Sequence, residues 1–175
     1  MTSTTADAIT QVTTYAGPMA LGVWNSVSDF LIVLVLIVAF VLFSRYAGRG
    51  PFVGVLLSLY TAYALYIAFP YGSYLPSAPP ITALATHVGL YLALVIIFYI
   101  ILRRVVVSDF LYIGSIGLII LSFLATGFLL ALAYQVFAVT TVYHFTPALT
   151  LLFAAKKYFF WWFIGPAVGL FFLAR

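Results

Sequence analysis

Long apolar runs, each close to the length that crosses a bilayer, restrict the fold of this chain more than any other feature. Four are evident, at roughly Ser26 to Phe43, Phe52 to Phe69, Ala83 to Leu102 and Ser108 to Ala133. Each approaches the ~20 residues with which an α-helix crosses ~30 Å of hydrocarbon. Lipid offers the backbone no hydrogen bonds, so a spanning segment must satisfy its own N–H and C=O groups, and a helix does this within one segment. The expected fold is all-α: a polytopic transmembrane helical bundle with four secure spans and one or two further C-terminal spans, re-entrant in one reading.

Composition agrees with this reading. Of 175 residues, 66% are hydrophobic and 6% charged, against about 25% charged in ordinary soluble domains. Seven Lys or Arg and three Asp cannot cover a water-facing globule of this length, so the remaining surface must face lipid. The net charge of +4 is no sign of a nucleic-acid partner, because the basic residues stand in small groups at the ends of apolar runs, where topology determinants belong. There are no cysteines, which excludes disulfides, thiolate metal sites and cysteine nucleophiles.

Two regions are expected: residues 1–25 as a polar extracytoplasmic tail, and residues 26–175 as one transmembrane bundle. Met1 to Tyr15 is Thr-rich, with Asp7 and no base. It lacks the basic and apolar regions of a signal peptide, so the first span is expected to direct insertion. Ser28 or Asp29 is placed to cap that span, with Trp24 as an interfacial aromatic. The turn from Ser44 to Pro51 carries Arg45 and Arg49 and puts Pro51 at an expected first helical position. The next loop, Ser73 to Pro80, has three prolines and no charge.

Arg45, Arg49, Arg103 and Arg104 fall in the first and third loops, and the second has no base. The positive-inside rule then predicts an external N-terminus, an external Pro-rich loop and two cytoplasmic Arg-bearing turns. The C-terminal part allows two courses. If only Tyr158 to Ala174 crosses, Lys156 and Lys157 lie outside, against that rule. If Phe137 to Ala155 also crosses, they return inside and six spans result, but His144 and Pro147 then sit within a span. A re-entrant segment is the intermediate solution.

Ser28-Asp29-Phe30-Leu31 recurs as Ser108-Asp109-Phe110-Leu111. Two readings stand: a shared N-cap habit in a narrow apolar vocabulary, or a duplicated three-helix unit in inverted orientation. Small residues recur at four-residue spacing at Gly54, Ser58 and Ala62, again at Ala85, Gly89 and Ala93, and at Gly165 and Gly169. Such stripes let helix backbones approach closely, so spans 2 and 3 are expected to pack stripe against stripe.

Tyr60, Tyr63 and Tyr66 line one side of span 2, with Tyr91 and Tyr99 on span 3. Their hydroxyls need partners in hydrocarbon, supplied by a hydrogen-bonded core or by a polar pathway. Asp29, His87 and His144 could all lie near the outer face and form the one candidate metal or proton site. Their spacing matches no metal-ligand motif, and Asp29 is also explained as a cap. Asp109, beside Arg103 and Arg104, reads as a cap near the cytoplasmic face.

Asp29 at the head of the first span, the Gly48-Arg49-Gly50 turn, the second turn with Arg103, Arg104 and Asp109, and Gly114 and Gly117 early in span 4 together resemble the colicin V production protein family. The resemblance covers about Ser26 to Ala133; the Thr-rich N-terminus and the aromatic C-terminal part depart from it. It implies a small bacterial inner-membrane protein with a part in export or envelope maintenance, and assigns no active residues. The sequence implies no cofactor and no enzyme. It points to a membrane protein working through helix contacts with other membrane proteins or itself. A small transporter or channel built on the inverted repeat is the alternative.

Overall fold

The computed structural model describes residues 27–105 and 113–173, and those residues contain helices, 3-10 turns and loops but no strand. Four helices are long and apolar enough to cross a membrane: α1 (Val27–Ala47), α2 (Arg49–Ile67), α3 (Pro80–Val105) and α4 (Ser115–Gln135). A short α5 (Pro147–Phe153) and an 18-residue α6 (Lys156–Leu173) follow. The protein is thus an all-helical bundle of membrane-protein character.

Local chemistry sets the boundaries. Gly48 alone joins α1 to α2 and adopts φ 99°, a conformation that glycine reaches without a Cβ penalty. Arg49, rather than Pro51, opens α2. Pro51 lies within the first turn, where its missing N–H costs no intrahelical bond. Helix α4 begins at Ser115, with Gly114 at its N-cap, and not at Ser108-Asp109. Asp109 and the second copy of the Ser-Asp-Phe-Leu motif lie outside the described residues, as does the tail over residues 1–25. The first copy falls in the opening turn of α1.

Helix α4 is the centre of the bundle, with 61% of its apolar window buried against 11% for α1 and for α3. Phe52, Val53 and Leu56 of α2 pack with Leu118, Leu121 and Ala125 of α4 at one end of the bundle. Toward the other end, Leu59 and Ala62 of α2 meet Tyr91 and Leu94 of α3 and Phe128 and Leu132 of α4. Leu130, Ala131 and Tyr134 of α4 close on Leu149 and Phe153 of α5. Hydroxyls within the helices bond back to their own turns: Ser58 to the Val55 carbonyl at 2.6 Å, Ser122 to Leu118 at 2.7 Å and Thr126 to Ser122 at 2.9 Å. These bonds remove the polar cost of Ser and Thr in an apolar medium.

Helices α2 and α3 pack together extensively, but not stripe against stripe. Gly54, Ser58 and Ala62 are buried, whereas Ala85, Gly89 and Ala93 face outward, and a Cβ on Gly89 would meet nothing within 4 Å. The α3 face turned to α2 carries His87, Tyr91 and Leu94. Large residues sit opposite small ones: the Tyr99 ring lies 3.8 Å from the position of a Cβ on Gly54. The physical reason is the tyrosine hydroxyl. Turned toward lipid it would lack a partner; turned inward, Tyr91 Oη donates to the Leu59 carbonyl at 3.0 Å.

The close glycine contact lies elsewhere, between antiparallel α4 and α6. A Cβ on Gly169 would stand 2.7 Å from Leu124 and one on Gly165 3.4 Å from it, while Gly117 faces Leu173. Gly127 is the tightest point, with the Trp162 ring 2.3 Å from where a Cβ would be. The segment from Phe137 to Ala155 does not form the continuous helix that a sixth crossing needs. Its one α-helix, α5, has seven residues and spans about 10 Å.

Candidate functional site

The second loop and the segment 136–146 meet at one end of the bundle, which also holds the start of α1. Two clusters of polar side chains lie there.

The first is a cavity of about 350 Å³ between the ends of α2 and α3 and the segment 136–141, lined among others by Tyr66, Ser77, Leu84, His87, Phe137 and Thr141. Tyr66 Oη and His87 Nδ1 are 2.8 Å apart, and the Phe137 ring closes on Tyr66 and Tyr91 with centroids 5.4 Å and 5.2 Å away. Ala138 follows in the left-handed region at φ 46°, a conformation that costs a non-glycine residue about 1 kcal/mol or more. That residue turns the chain into the 3-10 turn Val139–Thr141 beside the cavity.

The second cluster surrounds Asp29. Its side chain is 1% exposed, on the opening turn of α1, and it is bonded from the C-terminal part of the chain. Tyr143 Oη donates to Oδ1 at 3.0 Å and the Thr146 backbone N–H donates to Oδ2 at 2.5 Å. Thr146 is the N-cap of α5 and its own hydroxyl makes no capping bond. The carboxylate of α1 therefore takes the capping place at the start of α5, where an anion is favoured by the free N–H groups. The far end of α5 is held by donors: Gln135 Nε2 to the Phe153 and Ala154 carbonyls, and Trp162 Nε1 to the Leu152 carbonyl at 3.3 Å. A helix too short to persist alone is fixed at both ends.

The three ionisable residues read from the sequence as one site are thus divided. Asp29 belongs to the α5 cluster, His87 pairs with Tyr66 at the cavity, and His144 is exposed. Among the described residues no three His, Cys, Asp or Glu side chains come together to hold a metal. The tyrosines serve the core: besides Tyr91, Tyr60 Oη donates to the Phe163 carbonyl, and Tyr63 packs on the Phe159 and Phe163 rings. Tyr134, Gln135, Tyr143 and Thr146 were not singled out from the sequence. The readable signal was Thr146-Pro147, a capping residue followed by proline, which marks a helix start.

The Arg end of the bundle is formed by Arg45 in the last turn of α1, Arg49 at the start of α2, and Arg103 and Arg104 in the last turn of α3. Phe43 and Tyr99, 6.4 Å apart between ring centroids, hold these ends level. Comparisons with protein-family profiles, with curated proteins and with solved structures find no match.

Proposed function

We propose that this is a non-enzymatic protein of the bacterial inner membrane that works through helix–helix contacts, as a scaffold, accessory subunit or assembly factor in export or envelope maintenance. One observation carries the reading: among the described residues the small-residue stripe Ala85, Gly89 and Ala93 is not covered but lies on the outward face of α3. A stripe of this kind gains little against lipid tails and much against another helix, because it admits close backbone approach. Lipid bilayer and a membrane protein, a second copy or a different chain, are the partners this implies. A role in export or the envelope is also what the resemblance to the colicin V production protein family implies.

Single cysteines at Gly89 and Ala93, cross-linked with a short bifunctional maleimide in native membranes, test it. Discrete species larger than the monomer are expected from both, and not from Leu34→Cys on the outward face of α1. Equal cross-linking from all three positions would reduce the stripe to ordinary lipid-facing surface.

A small transporter is the second reading, favoured by the cavity of about 350 Å³ beside Tyr66 and His87. Toward the middle of α2 and α3, however, the Tyr60 and Tyr91 hydroxyls are committed to backbone carbonyls, which leaves them poor elements of a polar path.

A further inference from the structure

We propose that the cavity beside Tyr66 and His87 is a binding site for a neutral, flat carbonyl compound of the quinone kind. Its volume of about 350 Å³ falls in the range of small-ligand sites and suits a molecule of one or two fused rings. The walls are mostly apolar or aromatic, with Pro80, Leu84, Val136 and the rings of Tyr66 and Phe137 among them. Among the described residues no Asp, Glu, Lys or Arg lines the cavity. An ion entering it would give up water without gaining a counter-charge, so the occupant is neutral. Aromatic walls favour a flat ring, which gains stacked or edge contacts beyond its buried area.

One polar pair sets the functional group. Tyr66 Oη and His87 Nδ1 are 2.8 Å apart and share one hydrogen bond. If the hydroxyl donates, a neutral imidazole carries its proton on Nε2; if Nδ1–H donates, the tyrosine O–H is left over. Either tautomer leaves the pair one N–H or O–H that its own bond does not use. Among the described residues no other hydrogen bond takes it. A ring carbonyl accepts that hydrogen and brings no further donor that apolar walls would leave unpaired. A separate observation marks the same wall. Ala138 lines the cavity at φ 46°, and non-glycine residues held in the left-handed region cluster at ligand clamps. The residue before it, Phe137, turns its ring toward Tyr66 and the buried Tyr91. This inference goes beyond the helix-contact reading and does not rest on it.

The test is thermal unfolding of the purified full chain in detergent with three probes: menadione, methylnaphthalene and naphthoate. The first is a naphthoquinone, the second its ring system without the carbonyls, and the third a flat anion. The chain has no cysteine, so the quinone forms no thiol adduct. Binding to the folded state raises the midpoint by mass action. A saturating rise is expected with menadione, at a half-saturating concentration about tenfold below that of the hydrocarbon. The double variant Tyr66→Phe/His87→Phe keeps aromatic bulk and removes the donor, and should bring menadione to the level of the hydrocarbon. Ala83→Phe puts a ring into the cavity from its α3 wall and should abolish the menadione response. If the double variant does not fold, Ala83→Phe and the comparison of probes on the native chain decide. Equal half-saturation by menadione and the hydrocarbon would overturn the carbonyl site, and tighter binding of naphthoate would overturn it in favour of an anion. The absence of a saturating menadione response would overturn it outright. A response unchanged in both variants would put the quinone elsewhere and overturn it as well.

Discussion

The Tyr60 hydroxyl of α2 donates to the Phe163 carbonyl of α6, three residues before the buried Pro166 inside that helix. Proline has no N–H, and the carbonyl it leaves without an intrahelical donor is that of Trp162, four residues back. The Phe163 carbonyl that Tyr60 bonds is the next one along, so the two helices are tied beside the proline and not through the group it frees. Tyr60 stacks on Phe128 of α4 at 4.7 Å while doing so, and one side chain thereby ties three helices.

Tyr60→Phe should keep that stacking and lose only the hydrogen bond. A cost of about 0.6–2 kcal/mol is expected, measured by unfolding in mixed micelles of increasing SDS fraction. Pro166→Ala restores the N–H for the Trp162 carbonyl and not for Phe163, so Tyr60→Phe should cost about the same in that background. A markedly smaller cost there would couple the Tyr60 bond to the proline.

Glycine substitutions should divide by helix pair. Gly127→Ala places a methyl against the Trp162 ring, 2.3 Å from its nearest atoms, and a ring in a packed interface cannot move away as a chain end can. Overpacking of this kind costs about 1–3 kcal/mol. Gly89→Ala meets nothing within 4 Å and should leave folded yield in detergent unchanged. Comparing the two by size-exclusion yield and unfolding midpoint checks the assignment of the close contact to α4 and α6.

The histidines should be ranked by setting. His144 is exposed, and His144→Ala should leave the unfolding midpoint where it is. His87→Ala releases the Tyr66 hydroxyl into the cavity, where water can replace the ring nitrogen, and should cost below about 1 kcal/mol. Tyr91→Phe removes a buried hydrogen bond between α3 and α2, although the Leu59 carbonyl keeps its donor within α2, and should cost more than either. A midpoint drop for His144→Ala at least as large as that for Tyr91→Phe would contradict this order.

The long apolar runs made the four spanning helices legible, because hydropathy over ~20 residues directly reflects the backbone's need for internal bonds in lipid. Helix ends were legible to within a few residues, apart from α4, whose start at Ser115 follows Gly114 and not the Ser-Asp signal. Which face of α3 turns inward was not legible. Small-residue spacing marks both faces that can pack inside and faces free to pack outside, and the tyrosine hydroxyls decided between them. Asp29 was noticed as an isolated acid, but its partners Tyr143 and Thr146 lie more than a hundred residues away. No local pattern encodes such a contact. Gly127 was overlooked because it belongs to no glycine stripe: its partner is the ring of Trp162, a residue that reads from sequence only as an interfacial aromatic.

The course of the C-terminal part gives the last prediction. Helix α6 runs antiparallel along α4, from Trp162 beside Gly127 to Leu173 beside Gly117. If α4 crosses the bilayer, its partner lies at the same depth over that length, and its 18 residues span about 27 Å. Five crossings are then expected, with α5 at the outer face, where its exposed Leu151 and Leu152 would meet the interface. In that topology Lys156 and Lys157 are expected outside, against the charge rule, and the arginines of the first and third loops in the cytoplasm, in keeping with it. The chain has no cysteine, so single cysteines can be read without background. Gly48 is unsuitable because of its positive φ, but Tyr46, 97% exposed, and Tyr74, 84% exposed, are open positions at opposite ends of the bundle. In intact cells stripped of the outer membrane, an impermeant maleimide should label Tyr74→Cys and Lys156→Cys. It should reach Tyr46→Cys and Arg175→Cys only after the inner membrane is opened. Protection of Lys156→Cys together with labelling of Arg175→Cys would mean six crossings, and labelling of Tyr46→Cys without Tyr74→Cys would invert the whole bundle.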